Sequence, residues 1–224
     1  MSAAPVVLVV AKAPVAGVAK TRLAADVGDD AAADLAAASL LDTLATARAS
    51  GWPVVVALTG DLRASARLEA VSAALLGCII VRQRGATFGE RLASAHGDAA
   101  RASRDASGVL QIGMDTPQVT VEHLAAAQRL LAAHGSVLGP TYDGGWWVLG
   151  LGDVAAASCL ADVPMSCDRT CAATDAALRR RRLQPAYASR LTDVDVAADA
   201  HRVAAAFPDL LFSTAWRATP MAGR

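Results

Sequence analysis

The sequence is poor in aromatics, with 3 Phe, 4 Trp and 2 Tyr in 224 residues, and poor in charge, with 19% Asp, Glu, Lys and Arg. It has no surplus charge of either sign, because 21 basic side chains balance 21 acidic ones. A neutral chain cannot neutralise a phosphate backbone by bulk electrostatics, so nucleic acid is not an expected partner. No apolar run reaches the roughly 18 residues of a membrane span, and the first run, Pro5 to Ala11, has no basic segment ahead of it. A cytoplasmic protein without a membrane span or secretory leader is the expectation. The four cysteines, Cys78, Cys159, Cys167 and Cys171, form no Cys-x-x-Cys pair, and free thiols are expected rather than zinc ligands or disulfides.

What the chain has instead is alanine, in a composition that is 54% hydrophobic and excludes disorder. The run Val6-Val7-Leu8-Val9-Val10 is apolar on both faces, as a strand in a covered parallel sheet must be. Strands are predicted again near residues 54–58, 78–81, 109–112, 136–139, 146–149 and 185–188. Helices are predicted over 31–49, 63–76, 88–104, 121–134, 154–160, 169–182 and 199–207, with Thr120 as an N-cap. Tyr142-Asp143-Gly144-Gly145 between two β-like runs reads as a hairpin turn, which makes the sheet mixed. The expectation is one doubly wound, three-layer α/β domain over residues 1–224, with 208–224 as a peripheral tail.

Chemistry is expected at the carboxyl edge of such a sheet. Lys12-Ala13-Pro14-Val15-Ala16-Gly17-Val18-Ala19-Lys20-Thr21-Arg22 follows the first strand and carries three cations. It is neither a P-loop nor a Gly-x-Gly-x-x-Gly turn, since Pro14 and Ala19 stand at the P-loop glycine positions. Cations at a helix start oppose the macrodipole unless an anion sits there, so Lys12, Gly17, Lys20 and Arg22 are candidate phosphate contacts.

Asp115 directly follows the strand at 109–112 and could bind a metal or cap the next helix. Asp143 lies in the hairpin turn, and Asp193-Val194-Asp195 follows the last short strand. Such hard oxygen ligands suit Mg²⁺ or Mn²⁺ shared with substrate phosphates. Alternation along an extended segment would aim Asp193 and Asp195 at opposite faces, leaving open which of them joins Asp115. Gln83, Glu90 and Arg91, around a helix start, are weaker candidates for base, ribose or phosphate contacts and equally ordinary surface residues. Asp143, Gly144, Gly145 and Trp146 are placed on the acceptor side, Asp143 as hydroxyl partner or general base, with a plain Asp-Gly hairpin as the alternative. Of Trp146 and Trp147, which face opposite ways, one is expected in the core and the other in an acceptor pocket. His96, His123, His134 and His201 have no partner at metal spacing and read as structural.

Taken together, Ala11-Lys12-Ala13-Pro14, Gly17, Lys20-Thr21-Arg22-Leu23, Gln83-Arg84-Gly85, Gly89-Glu90-Arg91, Gly113-Met114-Asp115-Thr116-Pro117, Gly139-Pro140, Asp143-Gly144-Gly145 and Asp193-Val194-Asp195 resemble the DUF2064 group of small bacterial GT-A-like glycosyltransferases, in the family's order. The resemblance implies a nucleotide-diphospho-sugar transferase fold. It places the nucleotide over the N-terminal half of the sheet and a divalent metal at Asp115. It also implies a nucleotide or nucleotide-sugar donor and a small-molecule acceptor. More distantly the chain is similar to molybdenum-cofactor and phospholactate guanylyltransferases, so nucleotidyl transfer stands beside glycosyl transfer, and non-catalytic nucleotide binding is a third reading. The sequence departs from the family pattern with Trp146 for tyrosine, Met165 for tryptophan and Val196 for threonine.

Overall fold

The computed structural model describes residues 4–221. Its centre is a seven-stranded sheet. β1 (Val6–Lys12) is flanked by β2 (Val54–Thr59) and β4 (Val109–Gly113), and β3 (Ile79–Arg82) forms the edge beyond β2. On the other side β4 pairs with β6 (Trp146–Leu151), β6 with β5 (Ser136–Pro140), and β5 with the two-residue β7 (Ala186–Tyr187). All pairings are parallel except those of β6, which runs against both β4 and β5. The mixed sheet expected from the hairpin sequence is therefore present, with helices on both faces.

The strand interiors explain their own placement. Val6 to Val10 are all at most 8% exposed, because helices cover both sides of β1. On one face Val7, Val9, Ile112 and Trp147 pack with α2 (Asp29–Ala49) and α5 (Val121–His134). On the other, Leu8, Val109 and Leu149 pack with α4 (Phe88–Ala102), a 3₁₀ segment Val154–Asp162 and α6 (Thr170–Arg180). Alanines on α2, from Ala32 through Ala47, let that helix lie close to the sheet and to its neighbours.

Thr120 caps α5 as expected, and Thr87 with Glu90 closes a capping box on α4. The helix expected over 63–76 divides into a 3₁₀ turn, Leu62–Ala64, and α3 (Leu68–Leu75), parted by Arg67 at a positive φ of 50°. A short α1 (Thr21–Val27), not expected as an element of its own, ends the basic loop. The expected peripheral tail needs a larger correction. Beyond α7 (Ala197–Ala206), residues Leu211–Ala218 form α8, which buries Phe212 and Ala215 in a third apolar cluster with Leu35 and Val203. Asp42 of α2 accepts from the amides of Leu211 (3.0 Å) and Phe212 (2.8 Å), satisfying two donors that a helix start leaves open. No helix among the described residues is long and apolar enough to cross a membrane.

The sheet reverses its winding between β1 and β4: β2 and β3 extend one way, β6, β5 and β7 the other. A cleft opens at the carboxyl ends of strands at such a switch point. Because β6 is antiparallel, the β5–β6 turn projects over that same edge.

Candidate functional site

A cleft of about 580 Å³ lies at the switch point, lined by Lys12, Lys20 and Arg22 after β1, by Asp115 after β4, by Asp143 and Trp146 at the hairpin, and by Asp193 and Asp195. Four separate loops thus deliver charged side chains to one place.

Backbone pairing fixes how they meet. The Val194 amide donates to the Asp115 carbonyl at 2.9 Å, and the Thr116 hydroxyl donates to Asp193 Oδ1 at 3.3 Å. The buried Gln118 amide donates to the Thr192 carbonyl at 2.6 Å, and Thr141 bridges in parallel to Leu191. The segment after Leu191 belongs to no strand of the sheet, and Asp193 and Asp195 do not diverge to opposite faces. One carboxylate oxygen from each of Asp143, Asp193 and Asp195 lies within 4.8 Å of the others. Asp143 is oriented by the Thr141 hydroxyl and by the Gly145 amide (3.0 Å), both donating to Oδ1.

The expected ligand set of Asp115 with Asp193 or Asp195 is therefore drawn differently. Asp143 joins the two late acids, and Asp115 lies against Lys20, whose Nζ is 2.6 Å from Asp115 Oδ1 and 3.5 Å from Asp195 Oδ1. Lys20 Nζ also donates to the Val194 carbonyl. Its side chain is only 6% exposed, so it does not project into solvent as a free phosphate contact. The cause is local: Lys20 occupies the left-handed region (φ 51°, ψ 43°) at the start of α1, which turns its side chain inward. Burial alone would lower its pKa. The charges of Asp115, Asp193 and Asp195 outweigh that and hold the ammonium protonated.

Asp193 is also shifted upward, but for it burial acts in the same sense as the neighbouring acids. Burial and then the nearby Asp115 charge push its carboxyl up, to about 8, against the opposing pull of Lys20. A half-buried carboxyl that holds its proton to neutral pH, next to two more carboxylates, is a site short of positive charge. Oxygen donors in this number and hardness fit Mg²⁺ or Mn²⁺, with Asp143, Asp193 and Asp195 as the ligands available.

The other expected residues divide. Lys12 and Arg22 stay exposed at the cleft, Lys12 Nζ donating to the Val18 carbonyl (2.8 Å) and Arg22 to Asp195 Oδ2 (3.1 Å). Gly17 turns the loop between them at φ 71°. Gln83, Glu90 and Arg91 do not line the cleft. The Gln83 amide donates to the Ala11 and Ala57 carbonyls, both at 2.9 Å, tying together the ends of β1 and β2. Glu90 closes the α4 cap through the Ala86 and Thr87 amides, and Arg91 donates to the Thr87 carbonyl. Trp147 is core, 1% exposed, while Trp146 lines the cleft with its indole N–H on Thr174 Oγ1 (3.2 Å). None of the four histidines joins the carboxylate cluster, and burial pushes His96 down to about 4, a neutral imidazole. Sequence reasoning missed Thr116, Gln118 and Thr141, whose hydroxyls and amide hold the acidic loops. The cue within reach was a run of hydrogen-bonding residues beside Asp115 and Asp143.

Comparison with known proteins agrees with this architecture. A family model described as an uncharacterized protein conserved in bacteria, DUF2064, matches residues 41–167, more than half of the chain. No curated protein matches it in sequence. A candidate nucleotide-diphospho-sugar transferase from Desulfovibrio desulfuricans G20 superimposes with a TM-score of 0.82 at 25% identity, covering 96% of this chain and 94% of that one. Rv0371c from Mycobacterium tuberculosis H37Rv, in its complex with manganese, gives a TM-score of 0.51 at 20% identity over 89% of this chain and 97% of its own. A 2-C-methyl-D-erythritol 4-phosphate cytidylyltransferase from Thermus thermophilus gives 0.51 at 14% identity, covering 97% and 98%. The last two likenesses are of fold.

Proposed function

The chain belongs to the DUF2064 family, and on that premise we propose that it is a metal-dependent transferase that moves a sugar from a nucleotide-sugar donor to a small-molecule acceptor. The observation that carries this reading is the meeting of Asp143, Asp193 and Asp195 at the switch point of the sheet, beside the basic loop after β1. The kinship in fold and the 25% identity with a candidate nucleotide-diphospho-sugar transferase point the same way.

Each residue then has a physical task. Lys12 and Arg22, exposed at the cleft, supply cations for the donor's two phosphates. Lys20 neutralises Asp115 and Asp195 and keeps the acidic loops at a fixed distance. Asp143, Asp193 and Asp195 hold the divalent ion. When bound, that ion supplies charge neutralisation for the diphosphate and for the departing nucleoside diphosphate. Thr141 and Gly145 both donate to Asp143 Oδ1, and Asp143, Gly145 and Trp146 line the same cleft, so Asp143 is the residue assigned to an acceptor hydroxyl.

Nucleotidyl transfer is the second reading, favoured by the exposed cations Lys12 and Arg22 at the loop. Lys20, although it belongs to the same loop, is neutralised from inside, and this shifts the balance toward a donor with two phosphates. Product analysis separates the two. Glycosyl transfer releases a nucleoside diphosphate from a nucleotide-sugar, whereas nucleotidyl transfer releases pyrophosphate from a nucleoside triphosphate. Binding of both donor classes with neither product formed over a broad acceptor panel would support a non-catalytic nucleotide-binding protein.

A further inference from the structure

The three carboxylates of the cleft are oriented by different means, and for Asp193 the means lies largely behind the cleft. Both peptide groups that flank it are tied to the loop after β4: the Thr192 carbonyl accepts from Gln118 Nε2 at 2.6 Å, and the Val194 amide donates to the Asp115 carbonyl at 2.9 Å. That loop is itself fixed from α2. Ser39 Oγ donates to the Met114 carbonyl at 2.6 Å and Thr46 Oγ1 to the Val119 carbonyl at 2.9 Å, so both ends of the turn 114–119 are pinned to one helix. Gln118 is 2% exposed and lies outside the cleft lining. Its Nε2 is used on Thr192, while its Oε1 has no hydrogen-bond partner among the described residues. A buried amide satisfied at only one end stabilises a fold poorly, and an apolar side chain of equal length would fill the space without the unmet acceptor.

We infer that Gln118 is a positioning residue for the divalent ion: it carries the fixed position of α2, across the loop after β4, to Asp193, and so sets that carboxylate relative to Asp143 and Asp195. The inference rests on the metal-dependent reading. Asp143 is placed by its own hairpin, through Thr141 and Gly145, and Asp195 is held by Lys20 and Arg22. Asp193 depends on the neighbouring loop instead, with the Thr116 hydroxyl at 3.3 Å from its Oδ1 as a long bond to the side chain itself. Without Gln118 the Thr192 peptide is free to rotate, and Asp193 swings with it while the other two acids stay where they are. A hard cation then loses one of three carboxylates, and water takes its place. The packing of α2 and α5 against the sheet is untouched by that change.

Titration of the full chain with Mn²⁺, followed by the EPR signal of the free ion, tests this without a nucleotide. Gln118→Met keeps the length of the side chain and removes the donor. Mn²⁺ binding is expected to weaken about tenfold, the lower end of what supports behind metal ligands contribute. Water-proton relaxation by the bound ion is expected to rise, because water replaces the lost carboxylate. Asp153→Ala is the control: Asp153 caps the 3₁₀ segment Val154–Asp162 beyond the end of β6 that pairs with the start of β4, at the sheet edge opposite the cleft. Its loss lowers stability without reaching the acidic loops, and Mn²⁺ should bind as in the wild-type chain. Unchanged affinity or unchanged relaxation in Gln118→Met, or an equal loss of binding in Asp153→Ala, would overturn the assignment. If Gln118→Met does not fold, Gln118→Asn, which keeps the amide but is one methylene too short to reach Thr192, decides it by the same two readouts. Nucleotide-sugar turnover is measured on the same samples. No Mn²⁺ binding in the wild-type chain overturns the metal reading and the positioning role together. Gln118-dependent Mn²⁺ binding without turnover overturns the transferase reading alone, and turnover with Mn²⁺ binding indifferent to Gln118 overturns the positioning role alone.

Discussion

Lys20 illustrates how one backbone angle changes the meaning of a side chain. As one of three cations in a loop it promises a phosphate contact; at φ 51° it turns inward onto Asp115 and Asp195. Lys20→Met should therefore act first on stability. Removing the ammonium leaves carboxylates that are over a third exposed, so a loss of about 1–3 kcal/mol is expected, less than for a fully buried pair. Added Mn²⁺ should restore more of the melting temperature in the variant than in the wild-type chain; thermal denaturation with and without the ion checks both. Asp193 gives the complementary prediction. Its folded pKa is raised above the unfolded value of 3.8, so the native state binds the proton more tightly and its stability falls as pH rises from about 4 toward about 8. Asp193→Asn should raise the melting temperature of the metal-free chain at pH 8 and change it little near pH 4. Because the proton must leave before a cation is bound, metal affinity of the wild-type chain should climb across the same interval. A pH-independent affinity would contradict the burial argument.

At the scale of elements, the hairpin between β5 and β6 carries Asp143 only because it is stapled in place. Cys171 donates its amide to the Gly144 carbonyl at 2.8 Å, and Gly144, at φ 90°, runs so close to Asp168 that an added Cβ would overlap the Asp168 carbonyl oxygen. Gly144→Ala is expected to cost more than the roughly 1–2 kcal/mol of the left-handed backbone alone and to displace Asp143. Loss of metal binding together with lowered stability is the result to look for. α8 is tied down by Asp42 in a similar way, and Asp42→Ala should cost about 1–2 kcal/mol through the lost cap, measurable by urea denaturation.

These elements also mark the reach of the sequence. Val6 to Val10, the α5 cap at Thr120 and the antiparallel β6 are written in local pattern: apolar on both faces, a capping residue, an Asp-Gly turn. α8 is not, because Phe212 is buried by Leu35, far away in the chain, as well as by Val203 of the preceding helix, and nothing local distinguishes it from a tail. Likewise the three acids are visible as separate residues, while their convergence depends on Val194 pairing with Asp115 and on an irregular segment that periodicity cannot describe. Gln83 and Glu90 have the right residue types in a suggestive place, but both are consumed by the backbone of their own neighbourhood.

For the molecule as a whole, the strand order places β1 and β4 side by side with their neighbours winding outward, and the cleft follows from that topology. A net charge of zero conceals a local division: acids from three late loops face a basic loop from the start of the chain. The central claim is that Asp143, Asp193 and Asp195 hold a divalent ion that the donor needs. Isothermal titration of nucleotide-sugars into the wild-type chain and into Asp193→Asn, with Mn²⁺ and again with EDTA, addresses it directly. Saturable binding that requires Mn²⁺ and disappears in a folded Asp193→Asn chain is the expected result. Binding of the same strength in EDTA, or unchanged in the variant, would contradict it.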